Sequence, residues 1–115
     1  MQALALVDLL KDTLLDSKGR DIRVLDVQKL TDITDFMVIV SGTSSVHIRS
    51  MTDKLVEAMH KQNLRPVGIE GADPGDWVLI DCGDVVVHLM RPQTRDFYNL
   101  EKLWDSGEAS DVLNV

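Results

Sequence analysis

Apolar side chains recur at helical spacing along residues 3–16. Leu6, Val7, Leu10 and Leu14 fall on one side, and Asp8, Lys11 and Asp12 on the other. The pattern predicts an amphipathic helix packed by one face and stopped at Gly19. Asp21–Gln28, DIRVLDVQ, then has strand composition with polar residues interspersed, and the polar stretch KLTDITD leads into Phe36–Val40. That second run, FMVIV, is apolar on both faces and predicts a central strand.

The small-residue loop Ser41-Gly42-Thr43-Ser44-Ser45 follows, with hydroxyls suited to capping a helix start. From about Val46 to Gln62, Ile48, Met51, Leu55 and Met59 recur three and four apart, so one stripe of a second helix is buried and Asn63 is its stop. The extended segment Arg65–Glu70 then completes a strand–helix–strand crossover, which normally joins parallel strands in a right-handed sense. Pro66 places the start of that strand late, or the strand at an edge.

After the loop GADPGD, two apolar runs, Trp77–Ile80 and Val85–Met90, flank the tight turn Asp81-Cys82-Gly83-Asp84. This is a hairpin signature. Both strands are too apolar to face water on two sides, so the hairpin belongs inside a larger sheet. Pro92 suits a first helical turn, and Phe97, Leu100, Leu103 and Trp104 form a last apolar stripe covering the hairpin. Beyond Trp104 the composition turns polar, without stripe or turn-bounded strand. Residues 1–104 are therefore read as one domain and 105–115 as an acidic, mobile tail. The order helix-strand-strand-helix-strand-strand-strand-helix predicts an α/β fold: a mixed five-stranded sheet flanked by helices. Spatial strand order does not follow from it.

The chain has 115 residues, enough for one core. With 12 basic and 19 acidic side chains the net charge is −7. That argues against a broad phosphate-binding surface and for a basic protein partner. A lone cysteine, Cys82, cannot form an internal disulfide and suits a reduced, cytoplasmic protein. The first residues lack a basic flank and carry charges among their leucines, unlike a signal peptide or a membrane span.

Candidate chemistry is sparse. The Gly42-Thr43-Ser44-Ser45 loop could cradle a phosphate, but it lacks both GxGxxG and GxxxxGK[ST], and helix capping is the preferred reading. Turn chemistry explains Asp73, Asp76, Asp81 and Asp84 without a metal. They stand either as an acidic rim for the Lys and Arg of a partner or as simply solvated groups. His47, His60 and His88 have no metal-ligand spacing, and His88, inside an apolar strand, is read as a satisfied structural histidine. No nucleophile with its base can be assembled, and no basic residue adjoins Cys82 to activate it. Trp77, alternating with Leu79 and Asp81, is either an aromatic anchor on an exposed face or a residue packed under the last helix.

Several separated motifs then carry a resemblance: TDFMVIVSGTS at 34–44, VGIEG at 67–71, DWVLIDCGDVVVH at 76–88 and FYNLEKLW at 97–104. Over residues 3–104 the chain closely resembles the ribosomal silencing factor S, or Iojap-like, family. The resemblance implies a topology related to nucleotidyltransferases, a non-enzymatic role, and no cofactor or metal. It also implies binding to the large ribosomal subunit through large-subunit ribosomal protein fourteen, blocking of subunit joining and repression of translation when nutrients are scarce, with homodimers possible. No sequence-specific nucleic-acid contact is expected. Carried onto this chain, the binding surface draws on Asp76, Trp77, Leu79, Asp81 and Asp84, with Glu70, His88, Tyr98, Glu101 and Trp104 as second candidates. A large-subunit assembly factor is the alternative role. A nucleotidyltransferase-like enzyme is a weaker one, because the paired Asp-x-Asp carboxylates needed for its metals are missing.

Overall fold

Leu6, Val7, Leu10 and Leu14 form the buried side of the first helix, α1 (Ala3–Asp16), as their spacing predicts. The computed structural model describes residues 1–104 and the backbone of 111–114. Past α1, Lys18 rather than Gly19 takes the left-handed conformation, with φ 64°. Gly19 is needed for a close approach instead: a Cβ there would stand 2.8 Å from Val40 Cγ2. The chain thus passes directly over the strand it is about to join.

Strands β1 (Arg20–Asp26) and β2 (Phe36–Ser41) pair antiparallel. Every residue of β2 is buried, as the two-sided apolar run requires. Helix α2 (Ser45–Lys61) starts where the small-residue loop ends. Ser44 is its N-cap and accepts the His47 amide at 3.1 Å, so the hydroxyl caps the helix. Ile48, Met51, Leu55 and Met59 are buried on one stripe, and Asn63 ends the turn with φ 59°. Short β3 (Gly68–Glu70), β4 (Trp77–Asp81) and β5 (Val85–Met90) follow, the last two forming the expected hairpin.

The strand order is β3-β4-β5-β2-β1-β6, with β2 and β5 parallel and the remaining neighbours antiparallel. The crossover from β2 through α2 therefore reaches a strand of the same direction that is not its neighbour. The β4–β5 hairpin is inserted between them, so β3 lies at an edge, as Pro66 suggested. The five expected strands all form, and a sixth, β6 (Asp111–Asn114), adds to the other edge beside β1. The sequence pattern gave no strand there. The rest of the expected mobile tail, residues 105–110 and 115, lies outside the described residues.

The two faces of the sheet differ. Helices α1 and α2 cover one, where Leu10, Leu14, Ile48, Met51 and Leu55 pack on Ile22, Val38, Val40, Ile80, Val87 and Leu89. The opposite face carries a smaller cluster of Leu25, Val27, Met37, Ile39 and Met90, with Trp77, Leu100 and Trp104 at its border. Among the described residues, that side is covered by two short C-terminal helices, α3 (Pro92–Tyr98) and α4 (Leu100–Trp104).

Here the expected single stripe is corrected. Asn99 adopts the left-handed conformation, φ 49° and ψ 55°, and divides the segment in two. Leu100 and Trp104 turn toward the sheet, whereas Phe97 and Leu103 point away, 80% and 74% exposed. A break of this kind rotates the second helix relative to the first, so 3.6-residue periodicity cannot be carried across it.

Candidate partner-binding face

Strand alternation decides which side chains share the thinly covered face. Glu70 pairs with Leu79, Leu79 with His88, and His88 with Ile39, so these four form one row running inward from the β3 edge. Trp77 lies in the next row, opposite Met90, and Asp81 in the row on the other side, opposite Val86. Of the hairpin candidates, Trp77, Leu79, Asp81 and His88 therefore lie on one face, and the helix-bearing core lies on the other.

Above Trp77 stands an aromatic arm. The Tyr98 ring lies 4.8 Å from that of Trp77, and Phe97 meets Tyr98 edge-on at 5.0 Å. Tyr98 is 55% exposed and Phe97 more so, while Trp77 is half-buried beneath them. Large apolar rings left in water beside a half-open sheet face are the composition of a contact surface. Both readings of Trp77 thus meet: it lies on the open face, and it packs under the last helices.

Trp77 is held from three sides, by the Tyr98 ring above it, by His88 and by Gly71. Its indole Nε1 donates to His88 Nδ1 at 3.0 Å, which assigns the imidazole proton to Nε2, because an indole can only donate. His88 is 6% exposed, and burial pushes its pKa down from 6.5 to about 4. It is a neutral structural histidine, as read from the sequence. The third restraint is Gly71, at φ 83°, where any Cβ would run into the Trp77 carbonyl oxygen. Only glycine fits there.

The acidic groups are distributed around this centre. Asp76 precedes β4 and meets Arg91, with Oδ1 accepting from Nη1 at 3.4 Å. Asp81 and Asp84 lie at the far end of β4, roughly 15 Å away for a five-residue strand. Asp81 Oδ1 accepts the Gly83 amide at 2.9 Å and shapes the hairpin turn, while Asp84 is exposed and its carbonyl receives the Asp35 and Phe36 amides, each at 3.0 Å. Glu70 is exposed on β3. The carboxylates border the apolar centre at separate points and form no single cluster.

Glu101 and Trp104 hold the last helices down. Glu101 accepts from Arg95 Nε at 2.9 Å and from Arg23 Nη1 at 3.3 Å, and Trp104 joins the small cluster under α4. Sequence reasoning missed Arg95, which is buried, and expected Phe97 inside. Neither carried a local signal, because the Arg95–Glu101 pair spans six residues across a break that periodicity does not reveal.

Elsewhere, His47 accepts the Thr43 amide at Nδ1, 3.0 Å, and reaches the Ser17 carbonyl oxygen through Nε2 at 2.8 Å, tying α2 to the end of α1. Burial, aided by Asp81, pushes the Cys82 thiol up to about 12. It remains a thiol near neutrality, with its sulfur 3.6 Å from Met59 Sδ. Among the described residues, no group of three or more His, Cys, Asp or Glu is placed to hold a metal ion. No helix among them is long and apolar enough to cross a membrane.

Comparison with known proteins agrees with this architecture. The family model for ribosomal silencing factor during starvation matches residues 1–115. Ribosomal silencing factor RsfS of Haemophilus influenzae is 42% identical over 101 residues, covering 88% of this chain and 99% of that protein. The mouse protein named mitochondrial assembly of ribosomal large subunit protein 1 is 41% identical over 110 residues, covering 93% of this chain and 48% of the longer relative. A crystal structure of a Chromobacterium violaceum protein superposes with a TM-score of 0.89 at 35% identity, covering 98% of this chain and 94% of that one.

Proposed function

This chain belongs to the ribosomal silencing factor family, and we propose that it binds the large ribosomal subunit through large-subunit ribosomal protein fourteen. Seated there, it keeps the small subunit from joining and so represses translation under nutrient limitation. Family membership supports a ribosome-associated role in silencing or assembly, and the relatives are named for regulation or assembly rather than for a reaction.

The observation that carries the reading is the exposed aromatic arm, Phe97 and Tyr98, beside Trp77 on a sheet face that, among the described residues, the short helices α3 and α4 cover. Carboxylates at Glu70, Asp76, Asp81 and Asp84 border it, and the chain carries −7 overall. An apolar centre with an acidic border suits a basic protein surface and is repelled by bare RNA phosphate. The mechanism is occlusion: a folded domain occupies the joining face, and no bond is made or broken. Self-association, which the family implies, would use the β3 edge, where Val67 and Ile69 remain exposed.

Titrating isolated large-subunit ribosomal protein fourteen with the protein tests the partner. A one-to-one complex whose association slows as salt rises is expected, because rim charges act mainly on encounter. Co-sedimentation with large subunits but no complex with protein fourteen would place the contact elsewhere. The name of the mouse relative favours a second reading, in which the same face serves large-subunit assembly.

A further inference from the structure

The segment carrying the aromatic arm has little apolar anchoring beyond Leu100 and Trp104, which pack half-buried at the border of the small cluster. Helix α3 has seven residues and α4 five. Both are shorter than an isolated helix needs in water. Among their side chains only Arg95 is fully buried, at 7% exposure. This guanidinium donates through Nε to Glu101 Oε1 at 2.9 Å, through Nη2 to Oε2 at 3.3 Å, and through Nη1 to Ser41 Oγ at 2.8 Å. Arg23 of β1 reaches the same carboxylate at 3.3 Å. One carboxylate on α4 thus joins a cation from α3 to a cation from β1, and the α3 cation continues to the end of β2.

Phe97, Tyr98 and the left-handed Asn99 lie between the two ends of this strap. The Asn99 amide closes onto the Arg95 carbonyl oxygen at 2.8 Å. Fixing Arg95 and Glu101 therefore fixes the loop from which Tyr98 projects over Trp77 and Phe97 packs edge-on against Tyr98. We propose that Arg95 and Glu101 are positioning residues for partner binding: their buried ion pair clamps the α3–α4 break onto β1 and β2 and presents Phe97 and Tyr98 to the partner. The proposal rests on the reading of this face as the partner surface. Its chemistry depends on the bidentate fork, which lysine cannot reproduce. Loss of one partner leaves a buried charge uncompensated, so the strap opens rather than relaxes in place.

The test uses the full chain and purified large subunits, with Glu101→Gln, Arg95→Lys and Tyr98→Ala alone and in pairs. Glu101→Gln keeps the side chain's shape, so it serves even where Arg95→Lys fails to fold. It is expected to weaken binding about tenfold, and adding Tyr98→Ala should then cost far less than it does in the wild type, since the ring is already displaced. Hydrogen exchange should quicken across 92–104 while β2 and β5 keep their protection. Fully additive losses, or unchanged affinity despite faster exchange, overturn the strap and leave the partner face standing. Unchanged affinity for Tyr98→Ala alone overturns the partner face, and the positioning role with it.

Discussion

Replacing Tyr98 with alanine should weaken binding to the large ribosomal subunit by about thirtyfold, the loss typical of truncating an aromatic anchor near the centre of an interface. The ring is more than half exposed and touches the fold chiefly through Trp77, at 4.8 Å. Its loss should cost the folded state no more than about 1 kcal/mol. A large effect on binding with a small effect on melting separates a contact residue from a core residue. Trp77→Ala cannot make that separation, because it removes the indole that donates to His88 and supports Tyr98. Titration of large subunits with labelled protein, wild type and variant, measures the ratio. Equal affinities would remove Tyr98 from the interface.

Acid should destabilise the protein through His88 well before the carboxylates are fully protonated. The folded pKa is about 4, against 6.5 for the ordinary imidazole. The unfolded chain therefore binds a proton that the folded chain refuses. Stability from this group is complete above about pH 6.5 and is lost as pH falls toward 4. The gap corresponds to something on the order of 3 kcal/mol, or a melting temperature lower by roughly 10 °C or more at this size. Protonation at Nδ1 also removes the acceptor of the Trp77 indole, so the open face is disturbed with it. Melting curves between pH 7 and pH 4 should fall more steeply for wild type than for His88→Asn, which keeps an acceptor but does not titrate. Parallel curves would show that His88 contributes nothing to the acid loss.

Most of the scaffold is legible in the sequence, for identifiable reasons. Buried stripes on α1 and α2 repeat cleanly because each helix packs by one face on one layer, and β2 and β5 read as two-sided apolar runs because both are central. The order of strands is not legible, since the hairpin enters between β2 and β3 through contacts distant in sequence. The division at Asn99 escapes for another reason: an asparagine in the left-handed conformation leaves no mark on a hydrophobic pattern that otherwise continues through Leu100 and Trp104. That one residue sends Phe97 to the surface. It also hides the Arg95–Glu101 pair, which no helical spacing joins. Trp77, Leu79, Asp81 and His88 share a face because strand alternation is readable. The arm above them depends on a tertiary ion pair, which is not.

The most direct test of occlusion is subunit joining itself, followed by light scattering with purified small and large subunits, Mg²⁺ favouring whole ribosomes, and the protein in excess. Wild type should suppress the rise in scattering, and Tyr98→Ala should restore most of it at the same concentration while remaining folded. Joining that proceeds unhindered while wild-type protein stays bound to the large subunit would contradict occlusion and leave assembly as the role of this face.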